Sequence, residues 1–143
     1  MVLTHGHSDH TNGVPYLNSG KRIIMHPDAF KERYSKRKKV FVGFPMKEED
    51  LKKKHDVMLS REAVEFYEDM YFLGEIPMVV DFEMDGNFST TLDESLTVVD
   101  YTEDDSGITI KTEQGLVIMT GCGHRGICNT IEQAKKITGE ERI

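Results

Sequence analysis

The chain has 143 residues, 30% of them charged and 38% hydrophobic, with a formal net charge of −7 and a pI near 5.3. These proportions fit a single soluble domain over residues 1–143 and argue against a general nucleic-acid-binding face, which needs a basic excess. No apolar run approaches the ~20 residues that cross a bilayer, and the two cysteines, Cys122 and Cys128, make no disulfide framework, so a reducing, cytoplasmic compartment is expected.

In chain order, "MVLT" (1–4) reads as the end of a buried strand, and "MVLTHGHSDH" is too short and polar for a signal peptide. Residues 11–20 read as a turn with a short helix closed by Gly20, and "KRIIMH" (21–26) as a strand. "HPDAFKERYS" (26–35) carries helix-start signals: Pro27 early, Asp28 near the positive end of the dipole, then Ala29 and Phe30. The basic run "KRKK" (36–39) reads as a solvated loop or, in the sharper reading, a loop facing a phosphate. "VFVGFP" (40–45) is expected to be a strand ended by Pro45 and "MKEEDLKKKH" (46–55) a polar helix. "DVMLS", "AVEFYE" and "MYFLGEI" are β-like pieces rich in Val, Phe and Tyr, and residues 81–95 are loop-like. "SGITIKTEQGLVIMTG" (106–121) is the clearest hairpin, with Ile108 and Ile110 alternating with polar residues and Gly115 in the turn. Its "LVIM" is long enough for a strand buried on both faces. "NTIEQAKKITG" (129–139) reads as a helix capped by Asn129 or Thr130, packed through Ile131, Ala134 and Ile137, and stopped by Gly139. His26 and His55, beside helices, read as surface histidines.

The chemistry concentrates in "THGHSDHTNG" (4–13), where His5, His7, Asp9 and His10 fall within six residues. On a tight loop after a strand, residues two apart point to the same side, so His5 and His7 can grip one ion. Asp9 and His10, on the next turn, can reach a second. Gly6 lets the backbone bend closely around the site. Imidazole and carboxylate suit Zn²⁺, with Mn²⁺ or Fe as the other candidates.

This segment resembles the signature of the metallo-β-lactamase superfamily. "LVIMTGCGHRGICNTIEQA" (116–134) is similar to one branch of it, the 7,8-dihydropterin-6-yl-methyl-4-(β-D-ribofuranosyl)aminobenzene 5′-phosphate synthase-like proteins, with weaker matches in "FVGFP", "LGEIPMVVDFE" and "DDSGITI". The resemblance implies an α+β fold: a metallo-β-lactamase αββα sandwich, with mixed β-sheet, flanking helices and a two-metal site at one edge. It also implies a half-sheet before the histidine cluster and a strand with a further histidine after "TGEERI". The expectation is therefore a partial chain lacking both. Its bare strand faces would favour self-association.

His124, after a buried strand and after Gly121 and Gly123, which allow close backbone approach to an ion, is the best distant ligand. The resemblance places Cys122 where many members carry a bridging aspartate. It reads either as a thiolate ligand or as a small packing residue, and Cys128 as packing. Asp104 and Asp105 precede a strand where relatives place a further histidine, so Asp105 is a candidate ligand or a partner for a histidine N–H. Arg125, and the helix start at Asn129, are candidates for holding a substrate anion.

The resulting expectation is a metal-dependent hydrolase-like enzyme with two divalent ions, a metal-activated hydroxide, and Asp9 as the residue orienting the water. The resemblance suggests a small phosphorylated, pterin- or ribose-related substrate, and no nucleic acid or membrane partner. The alternative is a non-catalytic metal-binding fragment or subunit.

Overall fold

The computed structural model describes residues 1–83 and 90–143. Met1–Thr4 run between two sheets. Leu3 donates its N–H to Ile24 O (3.0 Å), while the Ser106 N–H donates to Thr4 O (2.9 Å). The histidine cluster that follows is thereby fixed at the junction of both sheets.

On one side, β1 (Arg22–Met25) pairs in parallel with β3 (Asp56–Leu59), Ile23 opposite Val57. Between them lies α2 (Glu48–Lys54), following the single-turn α1 (Ser8–Thr11). Helix α2 has acidic residues in its first turn and lysines in its last, which suits the helix dipole, and it buries Leu51. Leu51 joins Leu3, Val14, Ile23, Met25, Ala29 and Phe44 in the first hydrophobic core.

On the other side, β4 (Val64–Tyr67), β5 (Met70–Phe72), β7 (Gly107–Thr112) and β8 (Gly115–Thr120) form an antiparallel sheet in that order. α3 (Ile127–Thr138) covers it, and the second core gathers Leu73, Ile76, Leu116 and Ala134, with Ile118 and Ile137 against them. A short ladder of β2 (Tyr34–Ser35) with β6 (Thr90–Thr91) stands beside the site.

The β7–β8 hairpin and α3 follow the sequence pattern, and Gly139 ends α3 in the left-handed conformation (φ 68°). Several expectations need correction. "HPDAFKERYS" forms only a 3₁₀ turn, Pro27–Phe30, because the chain then breaks away to carry Arg33 into the interior. "VFVGFP" is no strand: Phe41 makes one isolated bridge to Tyr34, and Val40 and Phe41 are about half exposed. "LVIM" is covered on one face only, since Val117 and Met119 point outward. Helix α3 starts at Ile127, with Gly126 and no side chain at its N-cap, so neither Asn129 nor Thr130 caps it. His26 and His55 are buried. Their Nδ1 atoms accept the backbone N–H groups of Asp28 (3.1 Å) and Lys21 (3.3 Å). Of the loop expected over 81–95, residues 84–89 lie outside the described residues; Asp81–Glu83 form a 3₁₀ turn.

Candidate metal centre

The loop from Thr4 to His10 leaves the inter-sheet segment and turns into α1. A Cβ at Gly6 would overlap the Ala29 carbonyl oxygen and crowd Arg33 Nη1, so only glycine fits there. A Cβ at Gly121, after β8, would likewise overlap Thr4 Oγ1 and crowd His5 Nδ1, so the glycine lets the "GCGH" loop pack against His5.

These approaches converge four imidazoles. The His5 ring centroid lies 4.8 Å from His7, 4.4 Å from His10 and 5.0 Å from His124, and His7 lies 4.8 Å from His124. Two ligand groups result, His5–His7–His124 and His5–His10–Cys122, each with its donor atoms within 4.8 Å of one another. His10 Nε2 and Cys122 Sγ are 3.0 Å apart.

Burial holds the His5 imidazole down at about 2, with His7, His124, His10 and Arg33 acting in the same direction. Burial, then His7, lowers His124 to about 4, against Asp100 and Asp9. Both rings are therefore neutral at physiological pH, the form that binds metal. His5 Nε2, His124 Nε2 and Asp105 Oδ1 are buried without a hydrogen-bond partner among the described residues. Orphaned polar atoms cost about 1–3 kcal/mol each, and a cation would satisfy them. The donor set, neutral imidazoles with one thiol, fits zinc chemistry.

Behind the histidines stand three aspartates and one arginine. Arg33 is fully buried; its Nε donates to Asp100 Oδ2 (2.8 Å) and its Nη2 to Asp104 Oδ1 (2.5 Å). Asp104 Oδ2 accepts the Gly6 N–H (2.7 Å). Asp100 Oδ2 lies 3.8 Å from His7 Nε2, and Asp105 Oδ1 lies 3.8 Å from His5 Nδ1. Thr90 Oγ1 and Thr4 Oγ1 complete the contacts to His7 (3.4 Å) and His5 (3.2 Å). Burial raises the Asp100 carboxyl, but hydrogen bonding to His7 and the Arg33 charge outweigh it and hold it below the usual range. Burial pushes Asp104 up, opposed by Arg33 and the Gly6 amide. Burial and Asp104 push Asp105 up to about 6, against the hydrogen bond from the Arg125 amide.

No family profile matches the chain. Among curated proteins, the 7,8-dihydropterin-6-methyl-4-(β-D-ribofuranosyl)-aminobenzene-5′-phosphate synthase of Methanocaldococcus jannaschii is 29% identical over 154 aligned residues, covering 100% of this chain and 52% of the relative. An uncharacterized protein of the same organism is 33% identical, covering 96% of this chain and 53% of its own length. The crystal structure of Tm1679, a metal-dependent hydrolase of the β-lactamase superfamily, matches with a TM-score of 0.80 at 26% identity, covering 97% of this chain and 52% of that one. The chain has the fold of a metal-dependent hydrolase of the β-lactamase superfamily. It spans about half the length of the curated relatives it matches. The α+β expectation, sheets flanked by helices in the superfamily's fold, agrees with this match.

Within the superfamily fold, His5, His7 and His124 come together, and His10 meets Cys122 beside His5. Cys122 is exposed, so it is no packing residue. Burial, then Asp9 and Asp105, raise its thiol; a bound cation would act in the opposite direction. Asp9 stands apart from both groups, its side chain 77% exposed and one carboxylate oxygen 3.9 Å from His10 Nε2. Asp105 faces the back of His5 rather than joining either group. Arg125 turns its side chain to the carbonyls of Ile76 and Tyr101. Asn129 is fully buried and accepts the N–H groups of Val79 and Val80. Sequence reasoning missed Arg33, Asp100, Thr4 and Thr90. Asp100 carried a faint signal, as one of three aspartates in "DYTEDD" just before β7.

Proposed function

We propose that this chain is a metal-dependent, hydrolase-like enzyme holding two divalent ions, zinc first, with Mn²⁺ or Fe as the other candidates. The hydrolase class follows the structural neighbour, and a phosphorylated, pterin- or ribose-related substrate follows the curated relative's name. The observation carrying the reading is the convergence of buried, neutral imidazoles whose inward nitrogens lack partners. His5, His7 and His124 would hold one ion, and His10 with Cys122 the other. Held there, such ions would supply an acidified water, its pKa lowered from 15.7 towards about 7, and a Lewis acid for a substrate oxygen. Asp9, exposed in the pocket mouth beside His10, would orient the attacking water and take its proton. Asp100 and Asp105 would hold the backs of the His7 and His5 rings, fixing which nitrogen faces inward.

No helix among the described residues is long and apolar enough to cross a membrane. The free cysteines support a reducing, cytoplasmic setting. A second reading, a non-catalytic metal-binding chain, is favoured by the separation of the Asp9 carboxylate from both ligand groups.

Elemental analysis after purification without chelator, combined with an Asp9→Asn variant, tests both readings. The enzyme reading expects one to two equivalents of metal, hydrolysis of a phosphoester or lactone, and loss of that turnover in Asp9→Asn with at least one ion retained. A chain that ignores added zinc refutes the site. Equal turnover by the two proteins refutes the role of Asp9, and a metal-loaded chain inert to every substrate leaves the binding reading standing.

A further inference from the structure

The pocket beside the histidines is lined by one lysine, Lys38, and one carboxylate, Asp9. It encloses about 270 Å³, and its lining joins His7, Cys122 and His124 to Ser8, Ser35 and Lys38. Lys38 comes from the "KRKK" run, which the fold ties into a tight turn. Ser35 N–H donates to Val40 O (2.9 Å), Lys39 N–H to Ser35 O (2.8 Å) and Lys38 N–H to Ser35 Oγ (3.2 Å). Lys39 takes the left-handed conformation (φ 54°) that closes the turn. Ser35 itself pairs with Thr90, and Arg33, two residues earlier, is locked in the interior. The turn is thus held in place on its pocket side.

Lys38 is one of several lysines without an ammonium partner among the described residues, with Lys21, Lys39, Lys47 and Lys136, and of these it is the one in the pocket lining. Lys31, Lys52, Lys53 and Lys135 each pair with a carboxylate, whereas the Lys38 ammonium has no ion pair or hydrogen bond among the described residues. The Ser8 hydroxyl likewise has no partner among them. The Ser35 hydroxyl accepts the Lys38 N–H and keeps its own proton to donate. The Thr90 hydroxyl is already committed to Asp100 (3.0 Å). Three free donors therefore line the pocket: one charged, two neutral. That set matches the several acceptor oxygens of a phosphate monoester better than the two of a carboxylate. The residues sequence reasoning assigned to an anion, Arg125 and Asn129, have spent their side chains on backbone groups of the protein itself.

We propose that Lys38, with Ser35 and Ser8, forms a phosphomonoester subsite that anchors the substrate's phosphate at the mouth of the metal centre. The proposal rests on the hydrolase-like reading for the bond that reacts, but not for the binding it describes.

Calorimetric titration with ribose 5-phosphate, ribonate and ribose tests it, on zinc-loaded and on metal-free chain. Ribose 5-phosphate is expected to bind, and ribonate and ribose to bind at least about tenfold more weakly. Lys38→Ala should weaken ribose 5-phosphate by about tenfold or more, and Lys38→Arg should stay within about threefold of wild type. Arg37→Ala, an exposed neighbour outside the pocket lining, should leave the affinity unchanged. Zinc content should be equal in all four proteins. Unchanged affinity in Lys38→Ala, equal loss in Arg37→Ala, equal binding of ribose or ribonate, or no binding by wild type overturns the subsite. If wild type takes up no zinc, the metal reading fails while the Lys38 comparison on metal-free chain still decides the subsite.

Discussion

Replacing Arg33 with methionine tests the idea that one buried guanidinium holds the ligand loop in place. Methionine keeps the volume but removes four hydrogen bonds: to Asp100, to Asp104 and to the carbonyls of Ala29 and Asp28. Removing one partner of a buried ion pair costs about 3–5 kcal/mol, because the remaining charge stays buried and unpaired. Here one cation serves two carboxylates, so the two losses overlap; uptake of a proton by one carboxyl would cap the total. A loss of about 3–4 kcal/mol is expected, a large share of the 5–15 kcal/mol typical of a whole domain. The damage should also reach the metal. Asp104 holds the Gly6 amide and Asp100 faces His7, so their displacement loosens the loop between two ligands. Mutation of groups that orient metal ligands commonly lowers affinity about 10–100-fold. Urea unfolding of metal-free chain, compared at equal m-value, gives the first quantity, and a competition titration with a zinc chelator gives the second. Arg33→Lys should recover only part of both, since an ammonium cannot span two carboxylates in a planar fork. A loss under about 1 kcal/mol with zinc affinity unchanged would show that the network is incidental to the site.

Cys122→Ser should lower the affinity of one metal equivalent while sparing the other, and should remove the thiolate-to-metal charge-transfer band of the cobalt-substituted chain; an unchanged band excludes Cys122 as a ligand. Burial, against Asp28, holds the His26 imidazole below its ordinary value, with Arg61 adding to burial. As pH falls below about 6.5 the unfolded chain therefore takes up a proton that the folded chain refuses, and stability is lost. The stability of wild type relative to His26→Gln should shrink between about pH 7 and about pH 5 in chemical unfolding of metal-free chain, and a constant difference refutes the assignment. The outward face of β8, where Val117 and Met119 stand about half exposed, is expected to drive self-association; sedimentation velocity should show Val117→Lys with Met119→Lys shifting the chain towards monomer, and a wild type already monomeric at high concentration contradicts this.

The chemistry was far easier to read from the sequence than the scaffold that orients it. His5, His7, His10 and His124 announce themselves because ligand-bearing side chains are rare in short loops and because glycines flank them. The hairpin and α3 were legible because alternation and helical period are local signals. Arg33 had no such signal. It sits in "KERYSKRKK", where every neighbour suggests a solvated surface, and its burial depends on aspartates 67 and 71 positions away. The same long-range demand stops the turn after Phe30 from continuing as a helix. "LVIM" misled for a related reason: apolar composition says that a strand can be covered on both faces, but not what covers it. His26 and His55 look like surface groups until their ring nitrogens are seen capping backbone amides.

The charge distribution then connects the two halves of the site. Three carboxylates, Asp100, Asp104 and Asp105, lie buried on the protein side of the histidines, with one guanidinium to balance them. The imidazoles between are kept neutral, so the excess behind the loop is negative and favours cations in front of it. On the solvent side Lys38 joins the Asp9 carboxylate in the pocket lining, reaching it from a turn anchored to the same interior through Arg33. Anions behind hold the metal side, and a cation in front favours an anionic substituent. Arg33 supports both arrangements: it neutralises part of the carboxylate cluster and pins the start of the segment that presents Lys38. A substitution there should therefore loosen zinc and phosphate together, whereas Lys38→Ala should affect phosphate alone.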